Sequence, residues 1–305
     1  MNAYPNVSVV IPTHNRPQMM RRALLSVLDQ EYSAQIEVII VFDASDPFTP
    51  DVPVRDHRSI RITTNGRSRG LAGARNTGIS MAKHPFVAFL DDDDMWHPTK
   101  LHNQMDVFAS YPDSALVGTS IMVDAGDRKH LRRIDLEEVT HRDLLHDRLP
   151  GLHSSSFVFP RELLCSKIGM VDEDLPGSYG EDYDLLLRTA KVGPIRVVDT
   201  PLTRVTWQGQ SYFFGKWAQY ATSLTWMLEQ HPEFSDYDKA AARLQGQIAF
   251  AHVAAGDRQE GRAWARRALR RDPIQIKAAL ALVIGLRLMS AKLVIQTAQR
   301  FGRGI

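Results

Sequence analysis

Short apolar runs, each closed by a polar cluster, recur through the first third of the chain. Val7-Ser8-Val9-Val10-Ile11-Pro12 is β-branched and closed by proline, Ile36 to Phe42 ends at Asp43, and Phe86 to Leu90 ends at Asp91. Runs without alternation predict strands buried on both faces. Ile60 to Thr64 predicts a shorter strand. Between them, Ala23, Leu24, Val27 and Leu28 fall at helical spacing within Arg21–Gln30, and Ala74 to Lys83 reads as a second helix. Strands alternating with helices of this length predict right-handed βαβ units and a mostly parallel sheet.

The middle of the chain is more mixed. Leu116–Val123, Ser155–Phe159, Ile195–Val198 and Leu202–Trp207 read as strands, and Asp182–Val192 as a helix. From Lys216 onward the pattern is helical. Ala240–Ala255, Gly256-Asp257 and Arg258–Arg271 form a helix–turn–helix ending at Pro273. Its small residues resemble one tetratricopeptide-like hairpin, but a single copy lacks the stacking neighbours of a repeat array.

The 305 residues are enough for a sizeable core. The single cysteine, Cys165, excludes an intrachain disulfide and reads as a buried structural thiol. The amino terminus shows no basic-then-apolar leader, and no stretch reaches the length of a membrane span, so a cytoplasmic protein is expected. The net charge of +2 conceals an asymmetry: residues 239–305 carry 13 Lys and Arg against 3 Asp and Glu, whereas residues 1–238 carry 24 against 32. A basic tail on an acidic body points to an anionic partner, such as a lipid surface.

The polar clusters carry the candidate chemistry. They are Thr13-His14-Asn15-Arg16-Pro17, Asp43-Ala44-Ser45-Asp46, the loop through Arg75-Asn76, and Asp91-Asp92-Asp93-Asp94. Parallel strands would gather all four along one sheet edge, where open α/β sheets bind ligands. Four adjacent carboxylates repel one another unless a cation offsets them, and hard divalent ions choose oxygen ligands of this kind. Taken singly, the run reads equally as an acidic solvated turn, Thr13–Pro17 as a strand-to-helix turn, and Glu181-Asp182 as helix N-terminal acidity.

Together these segments resemble the successive motifs of glycosyltransferase family 2. The resemblance rests on Val7–Pro17, Gly70–Ile79, Phe89–Leu101 and Gly180–Arg188, in the family's order and spacing over about residues 5–210. It implies a GT-A (Rossmann-like) fold, a mostly parallel mixed sheet flanked by helices, as a domain over residues 1–213. A C-terminal α-helical region with a basic tail would follow over 214–305. It implies an inverting transferase with a nucleotide-diphosphate sugar donor, UDP first among bases, and a divalent cation, Mn²⁺ or Mg²⁺. Carried over, Thr13, Asn15 and Arg16 line the nucleoside pocket, Asp43 accepts from the base, and Arg75 approaches the diphosphate or base. Asp93 is the first expected metal ligand. Asp91 is the second, reaching the ribose or a metal-bound water, and Asp92 holds the variable position between them within the nucleotide-binding stretch. Asp94 is left between a sugar contact and a turn cap. Asp182 is the expected catalytic base and Glu181 the second candidate.

Two departures stand out. Phe42 occupies the place of a frequent acidic residue before Asp43, and Thr206 stands where relatives often carry a histidine. Trp207, Tyr212, Phe213 and Trp217 are candidates for stacking on a sugar acceptor or for core packing, and His153-Ser154-Ser155-Ser156 for a polar strand start on the acceptor side. The segment Ile274–Phe301 mixes apolar residues with Lys277, Arg287, Lys292 and Arg300. It reads equally as a peripheral membrane contact or as a helix packed on the protein. No nucleic-acid module accompanies the charge. The expected acceptor is a saccharide or polyprenyl-linked saccharide in cell-envelope or exopolysaccharide assembly. The rival readings are a sugar-phosphate nucleotidyltransferase and a catalytically silent scaffold. The nucleotidyltransferase would show a Gly-rich basic loop after the first strand, which Thr13–Pro17 is not, and intact Asp93 and Asp182 tell against the scaffold.

Overall fold

A computed structural model of the chain describes residues 4–53, 55–126, 128–207 and 215–300. It divides into two compact units. The first comprises residues 1–144, 148–174 and 181–210, and the second 145–147, 175–180 and 211–305.

The first unit is built on one sheet in the spatial order β3-β2-β1-β4-β9-β6-β10-β5. Its opening strands are β1 (Val7–Thr13), β2 (Ile36–Phe42), β3 (Arg58–Thr64) and β4 (Phe86–Phe89), all parallel to one another. Every residue of β1 and β2 is buried, as their unbroken apolar runs predict. Helices α1 (Pro17–Leu28) and α2 (Leu71–Met81) supply the crossovers. Met20, Ala23, Leu24 and Val27 of α1 share a core with Val7, Val9 and Ile11 of β1. A Cβ on Gly78 of α2 would stand 2.3 Å from Val10 Cγ1, so glycine is what lets this helix lie close to the sheet.

Beyond β4 the sheet becomes mixed. It adds β5 (Met95–Trp96), β6 (Leu116–Asp124), β7 (Lys129–Arg132), β8 (Glu138–Val139), β9 (Val158–Pro160) and β10 (Ile195–Thr206). β6 and β10 run parallel, and β9 runs antiparallel to both β4 and β6. Helices α3 (Lys100–Ser110), α4 (His141–His146) and α5 (Arg161–Leu163, continuing as a wide turn over Leu164–Ile168) join these strands. Then comes α6 (Glu181–Val192).

Three local expectations are corrected. The two short strands expected over 195–207 are one strand, β10, which absorbs Pro201 through register shifts rather than ending there. The strand expected to begin at Ser155 begins at Val158, because Ser154–Ser156 form a tight 3₁₀ turn. Cys165 is exposed: Leu164 and Ile168 occupy the inward face of their turn and leave Cys165 on the outer one.

The second unit is helical, with α7 (Trp217–Gln230), α8 (Asp238–Ala255), α9 (Arg258–Arg271), α10 (Ile276–Gly285) and α11 (Ala291–Arg300). Its core is made largely of small residues, including Ala249, Ala265, Ala268, Ala278 and Ala281, with Phe250 and Val253. Gly256 ends α8 in the left-handed region and Asp257 caps α9 by accepting from Glu260 N–H, the chemistry of a tight helical hairpin. The segment read as one amphipathic helix is two, α10 and α11. Ala278, Ala281 and Ile284 pack inward, while Ile274, Ile276, Leu288 and Leu293 remain exposed. Among the described residues no helix is long and apolar enough to cross a membrane.

Candidate active site

Register places the polar clusters at one edge. Thr13 lies beside Phe42 and Phe42 beside Thr64, so β1, β2 and β3 end level and deliver Thr13–Arg16, Asp43 and the loop after β3 to the same rim. β4 hydrogen-bonds to the far side of β1 and delivers the aspartates.

Each aspartate meets a different environment. Asp91 accepts from Arg75 Nη2 at 2.6 Å and from Ser154 Oγ at 3.2 Å. Burial pushes it up, but Arg75 and His153 outweigh that and hold it below the ordinary carboxylate range. Asp92 is buried, accepts from Thr13 Oγ1 at 2.8 Å and Arg16 Nη1 at 3.2 Å, and is raised chiefly by burial. Asp93 accepts from Arg16 Nη1 at 2.9 Å, yet burial and the neighbouring charges of Asp91 and Asp92 push it up to about 6. Asp94 accepts from Ser155 Oγ at 2.6 Å and from Thr206 N–H at 3.0 Å. Burial, Asp91 and Asp93 raise it well above the usual range.

Arg75 joins this run to the acidic pair on α6. Its guanidinium, wholly buried and over the ring of Phe89, donates to Glu181 Oε1 at 2.7 Å as well as to Asp91, and to Ser154 Oγ at 2.9 Å. Burial lifts Glu181 to about 7 despite that pairing, with Asp182 adding to the rise. Asp182 is oppositely placed. Arg148 Nη2 donates to both its oxygens, at 2.9 and 3.1 Å, and Tyr183 N–H to one of them at 2.9 Å. Burial would raise Asp182, but Arg148, His153 and Arg75 bring it below the ordinary range.

At the other end of the rim, Asp43 accepts from Asn65 Nδ2 at 2.7 Å and from Gly70 N–H at 3.0 Å, which ties the loop after β3 to β2. His14 Nδ1 lies 2.6 Å from the carbonyl of Asp43 and donates to it. Asn15 is exposed, in the left-handed region at φ 51°, a conformation asparagine tolerates better than most residues. Glu173 closes the loop from the opposite side, bonded to Arg67, Ser68 and Asn76.

The expected site residues therefore gather along one rim as several bonded sets. Thr13, Asp92, Arg16 and Asp93 are joined by one set of bonds and Asp91, Arg75 and Glu181 by another, with Asp182 held beside Glu181 by Arg148; Asp43 stands in the neighbouring loop and the Asn15 side chain lies by His14. Arg148 and Glu173 are not marked by the sequence pattern, and the serine turn is marked only as a polar strand start. These are polar residues in irregular segments, where no periodicity marks them. The serine turn is itself held from behind: Trp96 Nε1 donates to Ser155 O at 2.7 Å, and Gln104 Nε2 to Ser156 O at 2.8 Å. The buried Lys100 Nζ sits 3.9 Å over the Trp96 ring and donates to Gln104 Oε1. Of the aromatic candidates, Trp207 is 44% exposed, Trp217 packs on Tyr220 and Phe250, and Tyr212 and Phe213 lie outside the described residues.

The donor chemistry fits a divalent cation, with a difference from expectation. Ligand atoms of Asp91, Asp94 and His153 lie within 4.8 Å of one another, whereas Asp93 is engaged by Arg16. Two carboxylates and an imidazole match Mn²⁺ better than Mg²⁺, which prefers oxygen alone.

Comparison with known proteins identifies the fold and the family. The chain is 28% identical over 193 residues to the Escherichia coli UDP-Glc:alpha-D-GlcNAc-diphosphoundecaprenol beta-1,3-glucosyltransferase WfgD, covering 63% of this chain and 73% of that protein. It spans only 35% and 28% of the length of two rickettsial uncharacterized glycosyltransferases matched at 29% and 30% identity. The fold is shared with Staphylococcus aureus TarS in complex with UDP-GlcNAc (TM-score 0.64, 16% identity, 98% of this chain and 92% of that one). It is shared too with a Pyrobaculum calidifontis mannosyltransferase in complex with GDP-Man and Mn²⁺ (TM-score 0.58, 20% identity, 98% and 85%). The glycosyl transferase family 2 profile matches residues 8–165, just over half of the chain, and the protein therefore belongs to glycosyl transferase family 2.

Proposed function

We propose that the protein is an inverting glycosyltransferase that moves a sugar from a nucleotide-diphosphate donor, most readily a UDP-sugar, to a saccharide or lipid-linked acceptor in envelope or exopolysaccharide synthesis. The observation that carries this reading is Arg75, which bonds Asp91 of the aspartate run and Glu181 of the acidic pair at once, although they stand ninety residues apart. One buried guanidinium thus couples the carboxylates suited to a leaving diphosphate with those suited to a base. The UDP-glucose and lipid-diphosphate acceptor in the name of the Escherichia coli relative support the same donor and acceptor classes.

In this reading Thr13, Asn15, Arg16, Asp43 and the Gly66–Gly70 loop receive the nucleoside. Asp91 is common to the sequence motif and to the ligand cluster, and would hold the cation with Asp93 from the motif or Asp94 and His153 from the cluster. When bound, the cation offsets charge on the departing diphosphate. Asp182, with Glu181 beside it, accepts the proton of the acceptor hydroxyl as its oxygen attacks the anomeric carbon and the bond to the diphosphate breaks. Glu181 is the less accessible of the two, which favours Asp182. The basic, partly apolar surface of residues 274–300 would hold the enzyme to the inner face of a membrane without spanning it, consistent with a cytoplasmic protein.

A thermal-shift panel of UDP-, GDP- and dTDP-sugars with and without Mn²⁺ tests the reading, since a bound donor stabilises the folded state. A metal-dependent rise with at least one donor is expected, together with loss of transfer in Asp93→Ala and Asp182→Asn at unchanged melting temperature. No binding across the panel, or full activity in both variants, would overturn it.

A further inference from the structure

The turn between α10 and α11 departs twice from what its own backbone favours. α10 closes in a Schellman arrangement, in which Arg287 N–H donates to Ile284 O at 3.0 Å and Leu288 N–H to Val283 O at 3.1 Å. The left-handed position of such a turn usually holds glycine, yet here it holds Arg287, at φ 65°. The residue after it usually folds onto its helix, yet Leu288 is 75% exposed. Across from this turn, Arg258 is the first residue of α9, where the positive end of the helix disfavours a cation. The end of α10 comes this close because Gly285 has no Cβ. One built there would stand 2.5 Å from Arg262 Cγ and 3.5 Å from the Arg258 carbonyl oxygen. The two helix ends frame an open groove of about 650 Å³ lined by Arg258, Arg287, Leu288, Met289 and Ser290. Among the described residues neither guanidinium has a hydrogen-bond or ion-pair partner. Asp257, next to Arg258 in sequence, accepts from Glu260 N–H at 3.1 Å as the cap of α9.

We propose that this groove is a headgroup site for an anionic glycerophospholipid. Arg258 and Arg287 take its phosphate in their forked geometry, and Leu288 and Met289 meet the acyl chains where these leave the headgroup. The inference rests on the peripheral membrane reading above and deepens it, from a diffusely basic surface to one seated lipid. Charge argues for this occupant. Two guanidiniums share the groove, no carboxylate lines it, and residues 239–305 carry 13 Lys and Arg against 3 Asp and Glu. The apolar lining argues against free phosphate, which gains nothing from Leu288 or Met289, and the volume suits a phosphate with its glycerol ester. A lipid also answers each local cost of the turn: it brings the anion that both arginines lack and an apolar phase for the exposed leucine.

The test titrates the full chain by calorimetry with dihexanoyl phosphatidylglycerol below its micelle concentration, and with inorganic phosphate as the arm without acyl chains. The wild type should bind the lipid saturably at a single site, roughly tenfold or more tightly than phosphate. Arg258→Gln and Arg287→Gly should each weaken lipid binding by about tenfold or more. Both variants should keep or raise the melting temperature, since one removes a cation from a helix start and the other places glycine at a positive φ. Their loss of binding is then separate from any failure to fold. Leu288→Ser should weaken the lipid and leave phosphate unchanged. Lys292→Gln, exposed outside the groove, should spare short-chain binding and lower only pelleting with phosphatidylcholine vesicles that contain phosphatidylglycerol. The proposal is overturned by a wild type that binds no short-chain lipid or binds phosphate as tightly. Equal losses in Arg258→Gln and Lys292→Gln, the mark of diffuse charge, would overturn it too. Pelleting separates the two readings. A wild type that binds the short-chain lipid but does not pellet refutes the membrane reading and keeps the groove, whereas pelleting unchanged in both groove variants does the reverse.

Discussion

Replacing Arg75 with methionine is the sharpest test of the site, because methionine keeps much of the side-chain volume and removes only the five donors. The guanidinium is 2% exposed and serves Asp91, Glu181 and Ser154 together. Removing one partner of a buried ion pair while leaving the other costs about 3–5 kcal/mol. Glu181 limits that loss by protonating. Its pKa, already about 7 against an ordinary 4.5, rises further once Arg75 is gone. A carboxyl whose folded value lies above its unfolded value favours the folded state while protonated, and that advantage is lost as pH rises through the folded value. The wild type should therefore lose stability from about pH 4.5 to 7, at up to about 1.4 kcal/mol per pH unit. In Arg75→Met the decline should continue above pH 7, so the deficit is smaller at pH 6 than at pH 8. For a sheet unit of about 200 residues, each kcal/mol shifts the melting temperature by about 2–4 °C, giving a fall on the order of 6–20 °C. Urea unfolding in chelator at both pH values measures it, and the double variant with Glu181→Gln should recover more than about 1 kcal/mol relative to additivity. A single-variant loss below about 1 kcal/mol, or an additive double variant, would refute the coupling assigned to Arg75.

Other outcomes follow from separate parts of the fold. Burial alone would raise Glu173, but donors from Asn76, Ser68 and Arg67 hold it at about 2, so its contribution is present above about pH 4.5 and lost as pH falls towards 2. With its side chain 19% exposed, Glu173→Gln should remove about 2 kcal/mol of stability at neutral pH and flatten the acid limb, read from unfolding midpoints between pH 2 and 6. Gly73→Ala would drive a Cβ to 1.9 Å from the Ser68 carbonyl oxygen. It should cost about 1–3 kcal/mol and weaken UDP binding by displacing the loop, whereas unchanged values for both would contradict the close approach. Reversing Arg287 and Lys292 to glutamate should abolish pelleting with anionic liposomes if the tail docks there, at roughly 1 kcal/mol per basic residue removed. Deleting the tail would be a poorer test, since Ala278, Ala281 and Ile284 belong to the helical core.

Strand positions were legible because β1, β2 and β4 are buried on both faces and so carry runs that few other structures require. The alignment of their ends follows from parallel pairing, which is why Thr13, Asp43 and Asp91 were foreseeable as neighbours along one edge. Side-chain pairing within that edge was less so. Thr13 reads as a pocket-lining residue, yet its hydroxyl is spent on Asp92. Asp43 reads as a free acceptor, yet both its oxygens hold the loop after β3. Cys165 has apolar Leu164 for a neighbour, but burial is decided by the face of a short turn, which one residue of offset reverses. Arg148 left no trace in the pattern because a long-range ion pair from an irregular segment has neither period nor spacing.

Charge in the site does not close on itself. Asp91, Asp92, Asp93, Asp94 and Glu181 are answered by two guanidiniums, Arg16 and Arg75. Asp91 is held low by Arg75 and His153 together, while burial raises Asp92, Asp93, Asp94 and Glu181 despite their partners. Hydroxyl and backbone donors from Thr13, Ser155 and Thr206 reduce the deficit without supplying charge. Such a cluster costs several kcal/mol to keep ionised and dry, and surface acidity would avoid that cost by facing solvent. Its persistence at the rim of a sheet, backed by the packed Trp96, Lys100 and Gln104, is understandable where a divalent ion brings the missing positive charge with the donor. Arg16 then has a second part: bonded to both Asp92 and Asp93, it stands as the cation that a metal would displace from Asp93. The two candidate ligand sets around Asp91 differ chiefly in whether that displacement takes place.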